Sequence, residues 1–246
     1  MKINLSEDDV NESNAYDEWS ILRKTKAHAD YDLIYASLFL SHIVNANYLS
    51  LTTLLRQYES IEVVHQHLTG NRLPRKEFME VTGLFINYIA SALALRDSTR
   101  NITKNSSLFS KLLSIQESER VAQNIAANPK VKLPEDIRNI ISHQSLLIPS
   151  LAFNINHNES CVGFAFSVKK LLDYERLSAP SKNHLIYLTT PYIYLKPLID
   201  DYHHTVSNHQ SWIIRESLNK HKIDYPQYWK IRNHISTDWS GDLELI

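Results

Sequence analysis

Arg138, Asn139 and His143 fall within one short run, Leu133-Pro134-Glu135-Asp136-Ile137-Arg138-Asn139-Ile140-Ile141-Ser142-His143-Gln144. They offer a permanent cation, a neutral amide and an imidazole, the side chain that both takes and gives a proton near neutral pH. That set suits chemistry on a phosphodiester. A guanidinium grips non-bridging oxygens and stabilises the charge that builds on them, while an imidazole moves the proton. Pro134 predicts a helix start here, because in a first turn its missing N–H would be an orphan anyway. Glu135 and Asp136 would then sit at the positive end of the helix dipole. On such a helix Asn139 and His143, four apart, share a face. Arg138 leaves the axis roughly 140° from His143 and reaches it only by swinging its length back.

This segment resembles the signature of the HEPN superfamily, helical domains found in many prokaryotic toxin and defence ribonucleases: Arg, four to six residues, then His, often with Asn directly after the Arg. The spacing alone recurs by chance, since Arg23 with His28 and Arg215 with His221 also have it. Of these three, only Arg138 is followed by Asn, and only it follows a Pro-marked helix start. Arg232-Asn233-His234 has the dipeptide without a His at the right distance. The run Phe85-Ile86-Asn87-Tyr88-Ile89-Ala90-Ser91-Ala92, continuing to Asn101, is similar to the preceding helix of uncharacterised bacterial HEPN-like proteins. Those often carry an Asp-x-x-Arg pair near its end, as Asp97 and Arg100 do here. The order of parts from Phe85 to Trp212 is similar too, roughly half the chain.

The resemblance implies a mostly α fold, an antiparallel HEPN-like helical bundle, and metal-independent RNA cleavage in which a 2′-hydroxyl attacks its own phosphate. His143 would be general base or acid, Arg138 would clamp the phosphate, and Asn139 would hold the geometry. One motif imidazole per chain cannot be both donor and acceptor, so the resemblance also implies a homodimer with two such helices facing one cleft. Asp97 and Arg100 would orient His143 or bind phosphate; a plain ion pair within the helix is the other reading. Arg96, Lys130 and Lys132 are the candidate contacts to RNA backbone, against an ordinary solvated charge run. No cofactor or metal is called for, and an antitoxin or regulatory protein is a further expected partner. The alternative is a HEPN-like module that binds RNA, a nucleotide or a protein without cutting, or a helical adaptor.

Other groups carry less. Asp200, His203, His204 and His209 invite a metal reading, as do His65 and His67, but their spacing matches no strong metal motif. Cys161 lies in a predicted strand and reads as core, and as the single cysteine it excludes an internal disulfide. With 4 Gly in 246 residues, glycine-rich phosphate loops and nucleophile elbows are absent.

A net charge of −1 means that any RNA site must be a local basic patch. The scarcity of Gly also predicts long helices, since turn-rich β folds need more positions with φ > 0. The 43% hydrophobic content supports a substantial core. The single Cys, the acidic residues after Met1-Lys2 and the lack of an apolar run of membrane length predict a soluble, cytoplasmic protein.

The chain divides into an acidic N-terminus over 1–14, one helical domain over 15–225, and a surface tail over 226–246. The first long helix is expected from Asp30 to Glu59, with Leu33, Ala36, Leu40, Ile43, Asn47, Leu51, Leu54 and Tyr58 as its buried stripe. Pro74 opens a second, marked by Phe78, Thr82, Phe85, Ile89, Ala92, Arg96 and Thr99. Leu108, Leu112, Ile115, Ala122 and Ala126 predict a third. Alternation at Leu151, Phe153 and Ile155, and at Val162, Phe164, Phe166 and Val168, predicts an inserted β-hairpin within about 146–170. The longest apolar period runs through Leu198, Tyr202, Val206, His209 and Ile213 to the cations near His221.

Overall fold

The computed structural model describes residues 18–70, 72–143, 147–155 and 160–238; the acidic segment 1–14, the hairpin turn 156–159 and the terminal residues 239–246 lie outside it. After a helical turn over 18–22 the elements are α1 (Lys26–Arg56), α2 (Ile61–Thr69), α3 (Arg75–Lys104), α4 (Lys111–Asn124), α5 (Pro129–His143), β1 (Ser150–Ile155), β2 (Ser160–Ser167), α6 (Val168–Leu172), α7 (Ala179–Ile186), β3 (Tyr192–Tyr194), α8 (Leu195–Asp224) and α9 (Pro226–Asp238). The protein is mostly helical with one small antiparallel sheet.

The core is the seam of α1, α3 and α8. Ser37 Oγ meets Ser98 Oγ at 2.7 Å and Asn47 Nδ2 donates to Ser91 Oγ at 3.1 Å, so α1 and α3 run antiparallel. Tyr48 OH donates to Asp200 Oδ1 at 2.9 Å, and near the other end of α1 His221 Nε2 meets the Ala27 carbonyl at 2.7 Å, which sets α8 antiparallel to α1. Phe85, Tyr88, Ile89, Leu95 and Ile102 of α3 and Ile199, Tyr202 and Ile213 of α8 fill the space between. The stripe expected on α8 holds, with Leu198, Tyr202, Val206, His209 and Ile213 all buried; on α3 Thr82, Phe85, Ile89, Ala92 and Thr99 are buried, while Phe78 and Arg96 are half-buried.

The face of α1 differs from the expected one. Tyr31, Ile34, Ser37, Val44, Leu51 and Leu55 are buried, while Leu33, Leu40, Asn47 and Leu54 are half-buried and Ala36 and Ile43 exposed. The helix has no Asp, Glu, Lys or Arg from Leu33 to Leu55. Large apolar residues fall on more than one side of it, among uncharged polar ones such as His42, Asn45 and Ser50, and periodicity alone does not pick the covered side. Contrary to the sequence reading, α1 and α3 both have the length and composition of a membrane-crossing helix. In α3 that stretch contributes much of the core; in α1 far less of it is covered.

The third expected helix exists as α4, but its stripe is not a core face. Leu112 and Ile115 are 65% and 51% exposed, and no residue of the helix is buried. Leu113 packs half-buried against the core, and two further contacts add to it: the Arg120 guanidinium lies 4.4 Å from the Trp212 ring centroid, and Glu117 lies 3.8 Å from His209.

The hairpin forms as expected, with Leu151 opposite Phe164 and Phe153 opposite Val162. Its turn lies outside the described residues. Phe164 packs edge-on against Tyr58 and Phe78, and Phe166 against Phe85, which anchors the sheet to α3. Phe153 is nonetheless exposed, and Val168 belongs to α6 rather than to the strand. β3, which the prolines at 191 and 197 obscure in the sequence, adds a third strand beside β2, pairing Phe166 with Ile193. The segment expected as a surface tail begins with α9, and its Tyr228 and Arg232 are buried.

Candidate functional site

α5 starts earlier than its sequence suggests. Asn128 Oδ1 accepts from the Lys130 N–H at 3.0 Å, and its carbonyl accepts from Val131 and Lys132. Asn128 thus caps the helix and Pro129 takes the first-turn place assigned to Pro134. Pro134 lies buried inside α5. Glu135 and Asp136 are therefore mid-helix residues, and neither serves the dipole of α5.

Asp136 caps another helix. Its Oδ2 accepts from Ser178 N at 3.0 Å and from the Ser178 and Ser181 hydroxyls at 2.6 Å each, which closes the start of α7. Glu135 faces the core. It is 9% exposed and takes a 2.8 Å hydrogen bond from Arg96 Nη1; Lys132 Nζ lies 3.8 Å away and Tyr202 OH 3.5 Å away. Burial, and then the Glu135 charge, push the Tyr202 hydroxyl pKa well above the ordinary tyrosine range. The pair Arg96–Glu135 joins α3 to α5 across their crossing.

With α5 beginning at Pro129, Lys132, Glu135, Asn139 and His143 fall at i, i+3, i+7 and i+11 on one face. That face is buried at Glu135 and opens to solvent at Asn139 and His143. Arg138 is half-buried and swings back as its position requires, with Nη1 donating to Asn139 Oδ1 at 3.2 Å. Its Nε is buried and, among the described residues, has no hydrogen-bond partner. The cation and amide of the motif are thus in contact, and the imidazole stands one turn on, on the same open face as the amide.

The supporting residues are placed differently. Arg96 is committed to Glu135, and Lys130 Nζ pairs with Asp201 at 3.0 Å. Arg100 Nη1 and Asp97 Oδ1 pair with each other at 3.2 Å in solvent. Among the described residues no hydrogen bond or ion pair links Asp97 or Arg100 to His143, so the plain intrahelical pair describes them. Sequence reasoning missed Glu135 and Tyr202. The stripe Lys132–Glu135–Asn139–His143 was the available signal, hidden by placing the helix start at Pro134.

The histidines of the metal reading have other occupations. Asp200 accepts from Tyr48 and, at 2.7 Å, from Lys196. The His203 ring stacks on Tyr48 with centroids 3.8 Å apart, and its Nδ1 lies 3.2 Å from Tyr88 OH. His67 Nδ1 accepts from the Leu73 N–H at 2.9 Å. Among the described residues no group of three or more His, Cys, Asp or Glu could hold a metal ion. Cys161 is half-buried in β2 opposite Asn154.

No protein-family model matches the chain, and comparison with curated proteins and with solved structures gives no match. The chemistry must therefore be argued from the residues. α5 presents a guanidinium already held by an amide, followed by a solvent-facing imidazole. His143 is the only imidazole on α5. A cleavage that needs both a proton acceptor and a proton donor requires a second group from elsewhere.

Proposed function

We propose that this chain is a metal-independent endoribonuclease of HEPN type, with Arg138, Asn139 and His143 as its site. The observation that carries the reading is the Arg138–Asn139 contact beside His143 on the open turn of α5. In the reaction His143 takes the proton of a ribose 2′-hydroxyl as that oxygen forms a bond to the adjacent phosphorus. Arg138 binds the non-bridging oxygens and stabilises the added negative charge. The P–O5′ bond then breaks, the 5′-oxygen takes a proton from a second acid, and a 2′,3′-cyclic phosphate remains. A second copy supplies that acid as its own His143, so the working unit is a homodimer. A cytoplasmic toxin or phage-defence effector, restrained by an antitoxin or regulatory protein, is the setting this activity fits.

A second reading has its own support. Arg96, Lys130 and Lys132 each lie beside a carboxylate, which weakens the basic surface around α5 as a grip on a polyanion. That favours a module that binds a nucleotide or protein and cuts nothing. Incubation with total RNA in EDTA separates the two. The nuclease generates fragments with cyclic-phosphate ends, and Arg138→Ala and His143→Ala abolish them; intact RNA under those conditions overturns the nuclease reading.

A further inference from the structure

The last helix, α9, docks on the start of α1 chiefly through Tyr228, Trp229 and Arg232. Tyr228 and Arg232 are buried and Trp229 is half-buried. Arg232 Nη2 donates to Tyr31 OH at 2.6 Å, and its guanidinium lies 4.4 Å from the Tyr31 ring centroid. The other two each meet an imidazole of another element. Tyr228 OH lies 3.1 Å from His28 Nδ1 of α1, and Trp229 Nε1 lies 2.9 Å from His221 Nδ1 of α8. These two contacts answer a proton differently. A phenol both donates and accepts, so Tyr228 OH can turn to accept from a charged His28, whose Nε2 already lies 3.5 Å from Asp32. An indole only donates. His221 Nε2–H is spent on the Ala27 carbonyl at 2.7 Å, so Nδ1 is the acceptor for Trp229, and a proton there sets N–H against N–H.

We infer that α9 is a proton-released latch: protonation of His221 at Nδ1 frees Trp229 and lets α9 swing off the bundle about the Tyr225-Pro226 joint. The groups that face His221 divide in a way that favours this. From α1 come Tyr31 and Asp30, which is paired with Lys26. α8 itself adds Asp224, paired with Lys220, and Lys222, whose ammonium lies 5.1 Å from the Trp229 ring centroid. The joint adds Tyr225, and α9 adds Tyr228 and Arg232. Asp30 and Asp224 favour a charged imidazole, and Arg232 opposes it. Release carries off Arg232 and the Trp229 N–H, both of which oppose the proton, and leaves the two carboxylates in place. It also uncovers His221, which is fully buried, and so removes the desolvation cost of its charge.

The rest of the fold is held elsewhere. α1 meets α3 at Ser37–Ser98 and Asn47–Ser91 and meets α8 at Tyr48–Asp200, contacts in which α9 has no part. α8 ends at Asp224, and Pro226 opens α9 after a non-helical Tyr225 (φ −129°, ψ 59°), so the two helices are separate rods across a joint. α9 therefore opens with α1, α3 and α8 still packed, and the inference is independent of the reading of α5. When only the open state takes the proton, an ordinary imidazole pKa of about 6.5 makes the opening constant about 25 times larger at pH 5 than at pH 7.

Hydrogen exchange of the full chain, read by mass spectrometry at pH 7 and pH 5 and corrected for intrinsic exchange rates, tests it. Amides over 230–236 are expected to be protected at pH 7, yet to exchange faster than those over 85–102 in α3 at both pH values. At pH 5 their corrected exchange rises by about threefold or more, up to about 25-fold. His221→Asn keeps an acceptor for Trp229 and does not titrate, so α9 exchanges alike at both pH values; Trp229→Phe removes the opposing N–H and shrinks the response. The wild-type comparison stands by itself should either variant fail to fold. An α9 that is unprotected at pH 7, or that responds to acid by less than about threefold, overturns the inference. So does equal protection of α9 and α3, which makes α9 part of one global unit, and so does a response of wild-type size in His221→Asn or Trp229→Phe.

Discussion

Among the described residues the Arg96–Glu135 pair is the one strong polar link between α3 and the helix that carries the candidate site, and its worth can be worked from its geometry. Its N···O distance is 2.8 Å, and the Arg96 and Glu135 side chains are 28% and 12% exposed. Unit charges about 4 Å apart attract by about 4 kcal/mol at an effective dielectric constant near 20. The solvent on the Arg96 side and the ordering of a long side chain reduce this, so a coupling of about 1–2 kcal/mol is expected. A double-mutant cycle of Arg96→Ala and Glu135→Gln, read by urea unfolding, isolates that term from the packing each side chain also loses. Arg96→Ala should be the costlier single change, because it leaves a buried carboxylate with only the distant Lys132 and Tyr202. If the two changes are additive within about 0.5 kcal/mol, the crossing is held by apolar packing and the pair positions nothing.

Two further predictions concern buried groups. His221 is fully buried; Trp229 Nε1, which can only donate, lies 2.9 Å from its Nδ1, so Nε2–H must donate to the Ala27 carbonyl. Burial holds its pKa below the ordinary 6.5, and burial acts likewise on His203 and His209. The unfolded chain then binds more protons, so this stability is full above about pH 6.5 and is lost as pH falls below it. The melting temperature should fall from pH 7 to pH 5, and His221→Leu should cost about 2–4 kcal/mol and flatten that slope; a flat wild-type profile refutes the assignment. Asp136→Ala should cost about 2 kcal/mol by uncapping α7 and leaving the buried Ser181 hydroxyl with only Ser178 Oγ, 3.0 Å away, with Asp136→Asn recovering part of the loss in the same denaturation assay.

The elements that were legible in the sequence are those whose patterns have one reading. α3 and α8 alternate apolar and polar residues at helical spacing, and the hairpin alternates at period two. α1 was legible as a helix but not in its orientation, because without charges its outward side is marked only by uncharged polar residues such as His42, Asn45, Ser50 and Thr53, interspersed with exposed Phe39 and Leu49. At α5 the sequence offers two proline starts, and the cap decides between them: Asn128 supplies a side-chain acceptor before Pro129, whereas Leu133 before Pro134 supplies none. The motif residues survive that shift, but Glu135 and Asp136 change from dipole partners into a buried ion-pair partner and the cap of another helix. β3 is three residues between prolines, too short for any period. The wealth of His and Tyr in the last helices becomes intelligible only when α1 is brought alongside. Buried Asp30 then accepts from Lys26, Asn105, Ser107 and Tyr225, and these hydrogen bonds outweigh desolvation and hold its carboxyl below the ordinary range.

The most direct test of the nuclease account is cleavage of an oligoribonucleotide in EDTA, compared with the same strand carrying one 2′-deoxy nucleotide at the cut site. The account predicts a 2′,3′-cyclic phosphate product from the first, no cut at the substituted position, and a loss of about a hundredfold or more in rate for His143→Ala. Equal cleavage of both strands, or a His143→Ala variant that cuts at the wild-type rate, would contradict it.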